Sequence, residues 1–181
     1  MADVPKQIDD IIKALGLRPL DQEGGWFRQT LKRVPEIEAS LFGPGLPCGE
    51  RPQMTAIQAV IGAEQFSAMH RLAIDEFWVF HMGAPLEMLM LHPDGSHETV
   101  VLGHDVLQGE RLQHVVPSGV WQGSTARGGP SCYSVVSCIM TPGFVWEDFE
   151  LGDPEELSRA YPNVSAKIAQ LSRATPATGA R

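Results

Sequence analysis

The chain has 181 residues, 43% hydrophobic and 20% charged, enough for one well-buried core and short for two. A formal net charge of −8 and a pI near 5.2 leave no basic surface for phosphate backbones or anionic membranes, so neither nucleic acid nor a membrane is an expected partner. No segment approaches the ~20 apolar residues that span a bilayer, the N-terminus lacks a signal-peptide pattern, and three cysteines without CxxC spacing argue against a disulfide framework or structural zinc; the expected location is cytoplasmic.

Ile8, Ile11, Ile12 and Leu15 recur at helical spacing, with Pro5 suited to a first helical position and Gly16 to the residue past the end. From "EGGWFRQTL" onward the period drops to two. Strands are predicted at Trp26–Leu31, Thr55–Ile61, Phe66–Leu72, Glu76–Met82, Leu86–Leu91, Glu98–Leu102, Leu112–Val116, Val120–Gly123, Tyr133–Met140 and Val145–Phe149. Many short strands between Gly and Pro punctuation indicate a sandwich or barrel rather than βαβ units. "HPDGSH", His92 to His97, is a hairpin loop. The long stretch from Val34 to Gln53 has the composition of a lid or a disordered loop. Asp153 and Pro154 start a helix, with Glu156 placed for a capping box, and a further helix uses Val164, Ile168 and Leu171. The expected organisation is one domain over residues 1–173 and a disordered tail from 174 to 181.

Two segments place ligand-capable side chains inside apolar strands. In "FSAMHRLAIDEFWVFHMG" alternation puts Glu76, Trp78 and Phe80 on one face. A carboxylate beside two large aromatics lies at a rim or is desolvated, and if desolvated it needs a cation or hydrogen-bond donors to stay ionised. His70 and Arg71 are the nearest candidates. In "VVPSGVWQG" a Pro-Ser-Gly turn delivers Trp121 and Gln122 into a new strand.

Here the sequence resembles the cupin superfamily. His70, Glu76 and Gly83 fall on the spacing of its first motif, with Leu72 where a second histidine would stand; Pro117, Gly119 and Gln122 fall on the second, with glutamine in place of histidine. An alternative register puts Ala68, His70 and Asp75 at the first motif's ligand positions. "EGGWFRQT", the His70 segment, "VVPSGVWQG" and "PGFVWEDFEL", in that order, are similar to the small single-domain family called cupin-5, a domain of unknown function, over Leu15 to Tyr161.

The resemblance implies an all-β fold, a double-stranded β-helix or jelly-roll barrel with short terminal helices, usually dimeric and open at one end onto a pocket. Such proteins are described by likeness to sugar-nucleotide epimerases and plant germin-like and storage proteins. The usual cupin metal takes three imidazoles and a carboxylate, a set suited to Mn, Fe, Ni or Zn. With Leu72 and Gln122 at two of those positions, His70, Glu76 and Gln122 would hold one divalent ion weakly or none.

Without metal, His70 and Glu76 make a general acid/base pair. Arg28, sharing a strand face with Trp26 and Thr30, is either a pocket clamp for a carboxylate or phosphate or an ion-pair partner of Glu23 or of the "WEDFE" acids. Trp78, Trp121 and Phe144 are either core or pocket residues. His81, His92, His97, His104 and His114 have no mutual ligand spacing. The "EDFE" cluster lines the pocket mouth or forms a solvated edge. The expectation is a small-molecule-binding homodimer, isomerase- or epimerase-like in its chemistry and acting on a small polar or anionic metabolite. Its alternatives are a non-catalytic ligand sensor and a metal-dependent enzyme with an incomplete ligand set.

Overall fold

Strands with a two-residue apolar period each own one core face, and burying those faces requires a second layer. The computed structural model describes residues 6–42 and 49–173, so Cys48 and the tail lie outside the described residues. The chain runs α1 (Lys6–Leu15), β1 (Arg18–Pro19), β2 (Trp26–Arg33), β3 (Ile37–Glu38), β4 (Glu50–Arg51), β5 (Met54–Gly62), β6 (Ser67–Leu72), β7 (Glu76–Gly83), β8 (Leu86–Leu91), β9 (His97–Leu102), β10 (Gln113–Val116), β11 (Trp121–Ala126), β12 (Tyr133–Met140), β13 (Phe149–Leu151), α2 (Pro154–Ala160) and α3 (Ser165–Gln170).

Two antiparallel sheets result, a six-stranded one ordered β1-β2-β5-β12-β7-β10 and a five-stranded one ordered β13-β6-β11-β8-β9. Non-sequential neighbours such as β5-β12-β7 and β6-β11-β8 make this a jelly roll. Ala59, Ile61, Trp78, Phe80, Met88, Met90, Val116 and Val136 fill one end of the space between the sheets. The other end carries the cavity described below.

Both outer faces are partly covered. Ile8 of α1 is fully buried against Val60, Tyr133 and Val135 of the six-stranded sheet, a burial that contributes about 1.5–3 kcal/mol. Leu157, Tyr161, Ile168 and Leu171 from the C-terminal helices pack on Met69, Leu89 and Leu91 of the five-stranded sheet. The Asp153 carboxylate caps α2, accepting from the backbone nitrogens of Glu155 and Glu156, each at 2.9 Å. Among the described residues no helix is long and apolar enough to cross a membrane.

One predicted strand is corrected. Trp146–Asp148 form a 3-10 turn and β13 starts only at Phe149. The cause is Asp148, whose carboxylate is drawn inside by Arg51 at 2.7 and 3.2 Å, both side chains being buried. The segment from Val34 to Gln53 is also more structured than its composition suggests: β3 and β4 pair as a short ribbon, and Arg51 ties its end to the barrel.

Candidate functional site

A cavity of about 450 Å³ opens between the sheets. Its six-stranded wall supplies Phe27, Gln29, Lys32, Thr55, Ile57, Glu76, Cys138 and Met140, and the opposite wall supplies His70, Leu72 and Phe149. Arg18, Leu20 and Glu23 close one side, and the loop from Phe144 to Glu147 the other. Of the residues expected from sequence, His70, Glu76 and Phe144 line this space.

Glu76 sits at the start of β7 and is 7% exposed. Its Oε2 accepts the Trp78 indole N–H at 3.0 Å and the Gln122 amide N–H at 2.6 Å, while Gln122 Oε1 accepts from the same indole at 3.0 Å. These are the donors a desolvated carboxylate requires. Burial nevertheless dominates and raises the Glu76 pKa above the usual carboxylate range; His70 opposes this, the Glu23 carboxylate adds to it, and the Gln122 and Trp78 hydrogen bonds oppose it. Because Oε2 is occupied by two donors, Oε1 is the oxygen left to carry or exchange a proton.

His70 lies on β6, directly across from Gln122 of β11. Its Nδ1 is 2.8 Å from the Ala68 carbonyl, which only accepts, so Nδ1 carries a hydrogen and Nε2 is the nitrogen left to exchange a proton. The ring stacks on Phe149 with centroids 5.3 Å apart, which fixes its plane. Cys138 lines the same cavity, and burial, together with the Glu76 and Glu23 carboxylates, pushes its thiol well up, so it is no thiolate nucleophile.

Trp78 and Gln122 act from behind the wall, through Glu76, rather than by facing the space. The pocket placement expected for three other residues is corrected. Arg28 and Thr30 lie on the opposite face of β2 from Phe27 and Gln29, where Arg28 donates to Gln58 Oε1 at 3.3 Å and Thr30 to the Ala56 carbonyl at 3.1 Å. Trp121 lies on the outer side of the five-stranded sheet, half-buried under the Arg71 guanidinium at 4.6 Å. Its strand parity is opposite to that of Gln122, which points in.

The cavity's own cations are Arg18 and Lys32. Lys32 reaches it because β2 carries a bulge between Gln29 and Leu31 that shifts the inward parity by one. Single-strand alternation cannot show such a shift. Glu23 was legible only as an ion-pair candidate. It is held by the turn behind it: Gly24 and Gly25 have φ of 117° and 70°, and a Cβ on Gly24 would lie 2.2 Å from the Phe66 carbonyl oxygen. Ser67 Oγ donates to Glu23 at 2.5 Å.

The acids of "EDFE" have three separate fates: Glu147 lines the cavity, Asp148 pairs with Arg51, and Glu150 pairs with Arg71 outside. The alternative motif register is overturned. Asp75 is exposed and accepts from the Ser118 backbone N–H at 2.8 Å, bracing the Pro117–Gly119 turn, and Ala68 offers only its carbonyl.

The residues present do not fit the usual cupin metal. Leu72 offers no donor, the Gln122 oxygen is engaged by Trp78, and among the described residues no three His, Cys, Asp or Glu side chains are grouped to hold an ion.

Jelly-roll topology with a cavity at one end of the barrel, and His70 and Glu76 at the motif positions, defines a cupin-type protein. Residues 9–152 match the family described as Cupin superfamily (DUF985), and the chain belongs to it. It is similar to protein SO0799 from Shewanella oneidensis, with 34% identity and a TM-score of 0.79, covering 92% of this chain and 98% of that one. A hypothetical protein from Leishmania major matches with 30% identity and a TM-score of 0.78 over the same shares. The uncharacterized protein YML079W of Saccharomyces cerevisiae is 26% identical over 160 residues, 83% of this chain and 79% of its own length.

Proposed function

We propose that this cupin binds a small polar or anionic metabolite in the barrel cavity and moves a proton on it, as an isomerase or epimerase does. The observation that carries the reading is the placement of two groups facing one 450 Å³ cavity: an imidazole whose Nδ1 is held on the Ala68 carbonyl, and a buried carboxyl group anchored through Oε2 by Trp78 and Gln122.

For a substrate with a C–H next to a carbonyl, His70 Nε2 takes the proton from carbon. The C–H electron pair becomes the enol double bond, and Glu76 Oε1 delivers its proton to the carbonyl oxygen. Return of a proton to the opposite face of the same carbon, with Glu76 Oε1 taking back the enol O–H proton, gives the epimer; in a 2-hydroxy carbonyl substrate the intermediate is an enediol, and loss of the 2-hydroxyl proton with protonation of the former carbonyl carbon gives the isomer. Trp78 and Gln122 are positioning residues that hold Glu76 through Oε2.

The test is incubation of the protein with a panel of small 2-hydroxy and 2-oxo metabolites in D2O. The reading expects deuterium at one carbon of one compound, lost in both His70→Ala and Glu76→Gln. A ligand retained by the protein and returned without deuterium would instead favour the non-catalytic binding reading, which the closed Glu76–Gln122–Trp78 hydrogen-bond triangle also supports. The proposal includes a homodimer, with part of the outer sheet face as the contact.

A further inference from the structure

Arg18 lines the inner cavity and also a second hollow of about 410 Å³ beside it, whose lining adds Pro19, Asp21 and Gln22. Arg18, Leu20, Phe27 and Trp146 belong to both, so the two spaces meet at these side chains. The Arg18 guanidinium lies 4.9 Å from the Phe27 ring centroid, and no carboxylate among the described residues is ion-paired with it. Lys32, the other cation of the inner wall, is already paired with Glu36 at 2.8 Å. Trp146 is 49% exposed although it is large and apolar, and its ring is braced edge-on by Phe144 at 5.1 Å and Phe149 at 5.6 Å.

A guanidinium stacked on one aromatic face keeps its in-plane N–H donors for a planar acceptor, and a rigidly held exposed indole offers a flat surface to a second ring. We propose that the junction is an anion-and-ring subsite. It takes a ligand with a flat unsaturated group next to a carboxylate or phosphate, the anion on Arg18 and the ring against Trp146, with the remainder reaching inward toward His70 and Glu76. The inference rests on the cavity being a ligand site, but not on proton transfer within it. On a chain with a net charge of −8, this junction is where an anionic metabolite meets an uncommitted guanidinium.

The experiment is titration of the full chain with phenyl phosphate, benzoate and the neutral benzamide, read by indole fluorescence and ligand-observed NMR. The two anions are expected to bind at least tenfold tighter than benzamide, and their rank tells phosphate from carboxylate recognition. Arg18→Gln should remove the anion preference while leaving benzamide binding within twofold, Arg18→Lys should keep part of it, and Trp146→Ala should weaken all three probes. Glu76→Gln should leave the anion preference intact, so loss of proton transfer and loss of the subsite are told apart. Absence of binding by the wild-type chain, or an anion preference unchanged in Arg18→Gln, would overturn the proposal.

Discussion

Gln122 donates its amide hydrogen to Glu76 across the interior of the barrel, at 2.6 Å, joining a strand of the five-stranded sheet to a strand of the six-stranded one. The glutamine plays both roles from adjacent atoms of one amide: its NH2 gives a hydrogen to the carboxylate while its carbonyl oxygen accepts one from Trp78. The substitution that weakens the metal set therefore builds a carboxyl-binding triangle.

Glu76→Gln preserves an oxygen able to accept from both Trp78 and Gln122 and removes the buried charge. Since the folded-state pKa of Glu76 lies above its ordinary 4.5, folding favours the acid form; wild-type stability from this group is complete below about pH 4.5 and is lost as pH rises through the raised value. Thermal melts of both proteins from pH 4 to 9 should show Glu76→Gln gaining on wild type as pH increases. A gap that is constant or shrinks with pH would contradict the desolvated placement.

Gln122→Leu removes one of the two donors to Glu76 and the acceptor of the Trp78 indole. The expected loss is about 1–3 kcal/mol in urea unfolding at neutral pH, the usual cost of leaving buried polar groups underpaired. The Glu76 pKa should move further upward, because a hydrogen bond favouring its ionised form is gone.

Arg51 and Asp148 form a bidentate pair with side-chain exposures of 2% and 0%. Removing one partner strands a buried charge, so Arg51→Met is expected to cost about 3–5 kcal/mol, while Arg51→Met with Asp148→Leu should recover much of it. Chemical denaturation of the single and double variants measures the coupling. The pair also fixes the turn carrying Trp146 and Glu147, so the single variant should weaken ligand binding at the cavity mouth.

The homodimer expectation points to the outer face near the β7–β10 edge, where Phe77, Met82 and Leu112 are 37%, 43% and 51% exposed. Light scattering at micromolar concentration should give a dimer mass for wild type and a monomer mass for Phe77→Glu. A wild-type monomer would refute it.

What the sequence revealed and what it hid divide on physical grounds. His70 and Glu76 were legible because their motif spacing survives and because a carboxylate alternating with Trp78 and Phe80 demands an explanation. Asp153 was legible because helix capping is local. Arg28 misled because its strand face depends on which side the sheet buries, and Lys32 was hidden because the bulge in β2 reverses parity partway along the strand. Glu23 and Arg18 come from a short connection and a two-residue strand whose inward placement is set by their neighbours. Asp148 read as strand because nothing local announces a partner at Arg51.

The most direct measurement is NMR of the uniformly labelled protein across a pH titration, reading the His70 ring nitrogens and the Glu76 carboxyl carbon together. Hydrogen on Nδ1, with Nε2 unprotonated once the ring is neutral, and a Glu76 midpoint above 4.5 are the expected results. Hydrogen on Nε2, or a Glu76 midpoint at or below that value, would contradict the acid/base pair on which the proposed function stands.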